Sequence, residues 1–265
     1  MINEQENSNY RLLQGLNIIG FITMVVINFL ANYLPINGLD TGQISALYPN
    51  LFTPAGFTFA IWGLIYLLLG IFVVYQSKGI LSKIGKQFAF ISRISYLFFT
   101  SCLLNSAWIF AWHYLRIGLS LLIMISLLIN LIVLYNRLNV SKIKEKGEFL
   151  TRLAFSIYLG WITIATVANV TAFLVAIDWG GFGLPDVFWM IAVTIVATAI
   201  VISFMLKNRD WVYSLVAIWA YFGIIVKRLS TEPVETAVVI VVAICMLVII
   251  SGIVKIIINN RKTLK

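Results

Sequence analysis

Three apolar stretches of the chain carry aromatic rings and hydrogen-bonding groups at the spacing of one helix face. Residues three, four and seven apart lie on the same side of an α-helix. The residues at this spacing are Phe59, Trp62 and Tyr66, then Asn105, Trp108 and Trp112, then Tyr158, Trp161, Ala165 and Asn169. Flat rings with a few placed polar groups are typical of sites for flat, mostly apolar ligands. The pattern therefore predicts a ligand-binding site.

Two structural explanations compete with ligand binding. Trp and Tyr are enriched at membrane–water interfaces as anchors, and Asn can bond neighbouring helices inside a membrane. The tryptophans closest to predicted interfaces fit the anchor role better, and these are Trp112, Trp179, Trp189 and Trp211.

Groups for acid–base, nucleophilic or metal chemistry are scarce. Asp, Glu, Lys and Arg are absent from the middle of every apolar stretch, and no phosphate-binding GxxxxGK[ST] loop occurs. Cys102 and Cys245 lie inside apolar runs without metal-ligand spacing, and His113 is interpreted as an interfacial polar aromatic rather than a haem ligand. We expect no catalytic residues, no metal site and no required cofactor, so an enzyme is the least favoured class.

The composition indicates that lipid surrounds the elements that position these residues. The chain is 61% hydrophobic and 11% charged, with a mean hydropathy of +0.99, whereas soluble domains carry about 25% charged residues. A transmembrane helix needs about 20 mostly apolar residues. Eight such spans are predicted: Leu12–Leu34, Ala55–Tyr75, Ile94–Tyr114, Ile117–Tyr135, Leu153–Ile177, Val187–Leu206, Trp211–Val226 and Val234–Ile257. The expected fold class is an all-α, polytopic transmembrane helical bundle.

The basic residues predict an orientation. With eight spans, 16 of the 19 Lys and Arg residues fall on one side, and only Arg116, Lys227 and Arg228 fall on the other. The positive-inside rule then places both termini in the cytoplasm of a multi-pass cell-membrane protein. The net charge of +9 is spread over short loops, which favours lipid head groups over nucleic acid as the partner.

Two predicted outside loops contain no Lys or Arg and are rich in turn formers: Pro35–Pro54 and Asp178–Asp186. Loops as long as the first are uncommon in compact domains and often act as lids. The three aromatic stripes overlap in depth beneath it, as helical rise along each span indicates.

The same residues resemble the signatures of the TspO/MBR family, the tryptophan-rich sensory proteins related to the translocator protein. Pro54-Ala-Gly-Phe-Thr-Phe-Ala-Ile-Trp62-Gly-Leu-Ile-Tyr66 is similar to the family's P-P-G-x-x-F-x-x-W-x-x-L-Y motif. Leu104-Asn105-Ser-Ala-Trp108 resembles its L-N-x-x-W motif, and Tyr158-Leu-Gly-Trp161 with Ala165 and Asn169 resembles its fifth-helix motif. The resemblance implies a tetrapyrrole pocket for porphyrin or haem, closed by the loop after the first helix, with a role in sensing or transport.

The resemblance also implies a domain division and leaves alternatives open. It covers a five-helix core, residues 1–177, and leaves residues 178–265 as a C-terminal extension of three helices whose role is open. The implied ligand contacts are Phe59, Trp62, Tyr66, Asn105, Trp108, Tyr158, Trp161, Ala165 and Asn169. Position 157 is Ile where the family has Pro. The stretch directly after Asn169 contains neither Tyr nor a basic residue, so the sterol-recognition pattern is absent and sterol binding is not expected. A transporter or permease is the alternative function, and a homodimer is left open.

Overall fold

The computed structural model describes residues 4–34, 36–81, 90–138 and 149–262, and these residues form helices joined by short connections. The α-helices are α1 Glu4–Tyr33, α2 Thr41–Ala46, α3 Ile61–Leu81, α4 Phe90–Ile94, α5 Leu97–His113, α6 Ile117–Leu138, α7 Phe149–Ala176, α8 Asp186–Asn208, α9 Trp211–Leu229 and α10 Thr236–Lys262. Short 3₁₀ turns occur at Ile36–Gly38, Gly56–Ala60 and Gly181–Gly183. The prediction of an all-α bundle is confirmed.

Seven helical segments of the described chain are long and apolar enough to cross a membrane. The predicted span Ile94–Tyr114 differs from the others, because its helix α5 has 17 residues and follows a break in which Ser95 has φ 49°. Seventeen residues rise about 26 Å, which is slightly less than the roughly 30 Å hydrocarbon core. An eighth crossing by α5 therefore stays a prediction.

Large apolar side chains remain on the surface of these helices. Leu67, Val74, Leu122 and Leu247 are each at least 60% exposed. Water would strongly disfavour so many exposed aliphatic groups, whereas acyl chains solvate them. The chain is thus a multi-pass membrane protein.

Two units make up the fold. The first contains residues 1–41 and 62–159, and the second contains residues 42–61 and 160–265. Helix α7 contributes residues 149–159 to the first unit and 160–176 to the second. This division differs from the sequence boundary at 177, because it follows packing rather than order along the chain.

In the first unit, α5 packs between α1 and α6. An apolar core forms where Phe72 of α3 meets Phe98 of α5 and Phe155 of α7, with both ring centroids 5.1 Å from that of Phe72 and edge-to-face geometry. Such contacts add about 1 kcal/mol beyond area burial. They fix the rotation of α3, α5 and α7 about their axes, and hence the direction of the aromatic stripes.

In the second unit, α8, α9 and α10 pack against one another. The turn between α8 and α9 is set by two residues: Arg209 ends α8 in the left-handed conformation (φ 51°), and Asp210 accepts hydrogen bonds from the backbone N–H groups of Val212 and Tyr213. This carboxylate cap satisfies donors that would otherwise be unpaired at the start of α9.

Helix α7 approaches α9 closely at one glycine. A Cβ atom on Gly160 would lie 2.6 Å from the backbone carbonyl oxygen of Tyr213. The Tyr213 hydroxyl donates a 2.9 Å hydrogen bond to Oγ1 of Thr163, one turn further along α7. Small residues that let backbones approach, reinforced by an interhelical hydrogen bond, are a common way for membrane helices to associate.

Candidate functional site

Four predicted aromatic residues meet in the first unit, and we call Trp62, Tyr66, Trp108 and Tyr158 the aromatic cluster. Trp62 of α3 is central: its ring stacks on Tyr66 at a centroid distance of 5.5 Å and an interplanar angle of 18°. It lies 6.5 Å from the ring of Trp108 on α5 and 6.2 Å from that of Tyr158 on α7. The i, i+3 and i+7 periodicity thus turns three helix faces toward one another.

Two rings of the cluster are buried and two are partly exposed. Trp108 and Tyr158 are buried, with exposures of 6% and 0%. Trp62 and Tyr66 are only partly buried. The accessible ring surface therefore belongs to α3.

A chain of hydrogen bonds positions Tyr158, one of the two buried rings. The Asn28 side-chain amide donates to Oδ1 of Asn105 at 2.8 Å, and the Asn105 amide donates to the Tyr158 hydroxyl at 3.2 Å. Both asparagines are nearly inaccessible to solvent. Asn28 of α1 was missed by sequence reasoning, although an Asn within the apolar run of α1 was an available signal.

The Tyr66 hydroxyl is a buried polar atom of the cluster. It makes no hydrogen bond of good geometry among the described residues, although the Asn105 side chain lies near it. A buried hydroxyl without a partner is costly in a membrane, because no water can replace the missing bond. It is a natural position for a polar group of a ligand.

The other four predicted contacts belong to the second unit. The Phe59 and Trp161 rings meet edge to face at 6.1 Å. Ala165 and Asn169 follow one and two turns further along α7, Ala165 partly exposed and Asn169 buried. The nine predicted residues thus fall into two groups, five in the first unit and four in the second.

His113 at the end of α5 is not the interfacial side chain that the sequence predicted. It is fully buried, and its Nδ1 lies 3.0 Å from the carbonyl oxygen of Ile36 while its Nε2 lies 3.2 Å from Oγ1 of Thr41. Because a carbonyl oxygen only accepts, Nδ1 carries a proton, and in the neutral ring Nε2 then accepts from the Thr41 hydroxyl. Both nitrogens of the chain's single histidine are therefore engaged, which leaves neither to ligate a haem iron.

The start of the predicted lid is fastened to α5 by further bonds. Trp112 donates from Nε1 to the carbonyl oxygen of Thr41 at 3.2 Å, and the Asn37 side-chain amide donates to the carbonyl oxygen of His113 at 3.0 Å. Trp112 is buried and stacks on Trp108 at 5.6 Å, so the prediction of an interfacial anchor is wrong for this residue. Pro35, the first residue of the predicted loop, lies outside the described residues.

Residues 55–58, near the start of the first aromatic motif, contact α9 in the second unit. The backbone N–H of Ala55 donates to the carbonyl oxygen of Gly223 at 3.0 Å, and Nε1 of Trp219 donates to the carbonyl oxygen of Thr58 at 2.9 Å. The ring of Phe57 adds an edge-to-face contact with Trp219 at 5.5 Å. Sequence reasoning left the role of the C-terminal helices open, and this is one role they have.

Thr58 lies directly against Gly223. Its side chain is fully buried, and a Cβ atom on Gly223 would collide with its hydroxyl oxygen. A glycine at 223 is therefore required for the turn Gly56–Ala60 to sit on α9. The sequence offered no periodic signal for this contact, because it joins residues far apart in the chain.

The described part of the chain contains no group of three or more His, Cys, Asp and Glu side chains that could hold a metal ion. The helices, the apolar surface and the aromatic cluster define a polytopic helical membrane protein with ring-lined helix faces. A family model described as TSPO-like protein matches residues 14–255, and the chain belongs to that family. Neither the curated proteins nor the solved structures gave a match.

The extent of the family match revises one expectation. The motifs that resemble the family indicated a match over about residues 12–177, with the last three helices as an addition to a five-helix core. The match continues through α8 and α9 and most of α10. These helices are therefore part of what this chain shares with its family.

Proposed function

We propose that this TSPO-like protein binds a flat, mostly apolar ligand at the aromatic cluster, with tetrapyrroles such as porphyrin or haem as the ligand class. The observation that carries the proposal is the stack of Tyr66 on Trp62 beside Trp108 and Tyr158. Stacked or tilted rings with part of their surface accessible offer a macrocycle extended dispersion contact.

The polar groups of the cluster suit such a ligand. The Tyr66 hydroxyl could bond a propionate or carbonyl group, since it makes no hydrogen bond of good geometry among the described residues. His113 is engaged through both nitrogens, so binding would rest on the rings rather than on an imidazole–iron bond. Phe59, Trp161, Ala165 and Asn169 stay predicted contacts.

We infer a binding role in sensing or transport rather than catalysis. The cluster consists of indoles, phenols and amides, and these groups are weak general acids and bases at neutral pH. We further propose that the protein resides in the cell membrane with both termini in the cytoplasm. Six of the lysines on which this orientation rests lie outside the described residues: Lys83, Lys86, Lys142, Lys144, Lys146 and Lys265.

Titration with protoporphyrin IX tests the binding proposal. The purified protein in lipid nanodiscs should show saturable quenching of tryptophan fluorescence, with a stoichiometry near one porphyrin per chain. Empty nanodiscs carrying a soluble tryptophan analogue provide the control for partitioning into lipid. Quenching that rises without saturation, as in the control, would contradict a specific site.

A flux assay separates transport from sensing. Proteoliposomes loaded with protoporphyrin should release it faster than protein-free liposomes if the protein transports its ligand. Binding without faster release would support sensing and remove the permease alternative for this ligand.

A further inference from the structure

A pocket lies in the second unit, apart from the nine predicted contacts, none of which lines it. It has a volume of about 280 Å³ and is formed where residues 49–52 approach the end of α7, the loop of residues 179–184 and the start of α8. Sites for drug-sized ligands are roughly 300–1,000 Å³. This pocket therefore suits a small molecule and is too small for a tetrapyrrole.

Two tryptophans form one wall of the pocket. The rings of Trp179 and Trp189 meet at a centroid distance of 4.8 Å and an angle of 63°. Nε1 of Trp189 donates a 2.9 Å hydrogen bond to the carbonyl oxygen of Gly181, which fixes the orientation of that ring. The N–H donor of Trp189 is thus used within the protein, so this residue offers the pocket its ring rather than a hydrogen bond.

The backbone conformation of the loop places Gly181 against Trp189. Gly181 has φ 58°, and a Cβ atom there would lie 3.1 Å from Nε1 of Trp189. Phe182 adopts φ 54° although it is not glycine, and such residues cost of order 1 kcal/mol or more. The glycines of this loop predicted turns in the sequence, and the loop takes no part in the aromatic cluster.

The charged residue that lines the pocket favours a cationic ligand. Asp186 at the start of α8 lines the pocket, and no Lys, Arg or His is among the described residues that line it. A carboxylate disfavours an anionic ligand, even though it lies at a helix N-terminus. The faces of two indoles and one carboxylate both attract cations.

We propose that this pocket binds a small organic cation with an apolar body, such as a quaternary ammonium compound. The cationic head lies over the faces of Trp179 and Trp189 within reach of Asp186, and the apolar body contacts Leu174 and Met190. In the proposed orientation the pocket opens to the outside of the cell, beside the first long loop. The proposal does not depend on tetrapyrrole binding at the aromatic cluster.

Calorimetric titration with benzyltrimethylammonium tests the proposal, with uncharged neopentylbenzene as the matched isostere. The wild-type protein in nanodiscs should bind the cation saturably and more tightly than the isostere, on the order of tenfold. This comparison needs no substitution, so a folding defect cannot obscure it. Equal affinity for the two compounds, or no saturable binding of the cation, would overturn the proposal.

Two substitutions locate the site. Asp186→Asn should weaken binding of the cation by about tenfold, whereas Asp178→Asn removes a nearby carboxylate that does not line the pocket and should leave it unchanged. Equal effects of the two substitutions would overturn the assignment. Trp62→Ala should leave cation binding intact, so failure here and failure of the tetrapyrrole proposal are distinguishable.

Discussion

Asn105 connects the polar and aromatic parts of the first unit. Its side-chain oxygen accepts from Asn28 and its side-chain nitrogen donates to the Tyr158 hydroxyl. The amide supplies both a donor and an acceptor in this arrangement, whereas a carboxylate lacks the donor and an aliphatic group lacks both. The amide thus couples α1 and α7 through α5, and it holds the Tyr158 ring against Trp62.

The coupling can be measured with a double-mutant cycle. Asn28→Ala, Asn105→Ala and the double substitution should reveal an interaction free energy of about 0.6–1.7 kcal/mol, the range found for hydrogen bonds between membrane helices. Reversible unfolding in mixed micelles provides the free energies. Strictly additive losses would mean that this bond contributes nothing to stability.

His113 is the other residue whose role depends on its partners. Replacing it by Ala removes both bonds to the Ile36 and Thr41 region, so amide hydrogens of residues 36–41 should exchange faster. Hydrogen exchange with mass spectrometry reports this directly. Arg116→Ala, an exposed change near the same end of α5, is the matched control and should not alter exchange there. Unchanged exchange in His113→Ala would contradict the fastening role.

At the scale of elements, the turn Gly56–Ala60 and helix α9 pack together in the second unit. Gly223 allows contact with Thr58, and Trp219 bonds the turn from the side. Apolar length identified α9 in the sequence, and turn formers and an aromatic motif marked residues 54–60. Neither signal could show that the turn packs on α9, since the contact rests on a missing side chain at Gly223 and on backbone carbonyls.

A pair of glycine substitutions tests that arrangement. Gly223→Ala should destabilise the protein by about 1–3 kcal/mol, because the new methyl group collides with the buried Thr58 side chain. Gly63→Ala on α3 is the control, since nothing lies within 4 Å of a Cβ atom there. It should be neutral or stabilising by up to about 1 kcal/mol. Equal unfolding temperatures for the two variants would contradict the close contact.

At the scale of the whole molecule, the sequence predicted the apolar helices better than the polar contacts between them. Apolar length and the lack of interior charge were sufficient for seven of the eight predicted spans, and the aromatic spacing correctly indicated that Trp62, Trp108 and Tyr158 lie together. Asn28 was missed and His113 was not assigned correctly, because the partner of each polar side chain lies on another element. The pocket beside Trp179 and Trp189 was missed because loops carry no periodic signal.

Cysteine labelling tests the orientation. The two native cysteines, Cys102 and Cys245, are buried, so background labelling should be low. Phe182→Cys, between α7 and α8, should react with a membrane-impermeant maleimide in intact cells. Arg209→Cys, between α8 and α9, should react only after permeabilisation. The reverse pattern would invert the orientation that the Lys and Arg distribution predicts.

The dissociation constant of protoporphyrin IX, measured by the absorbance of the porphyrin itself, tests the central claim most directly. Absorbance does not depend on tryptophan fluorescence, so the removal of a tryptophan cannot be mistaken for weaker binding. Trp62→Ala should raise the constant about tenfold, because it removes the ring at the centre of the cluster. Trp211→Ala, at the start of α9 and outside the cluster, should leave it within about twofold. Equal constants for wild type, Trp62→Ala and Trp211→Ala, with all three proteins folded, would contradict ligand binding at the aromatic cluster.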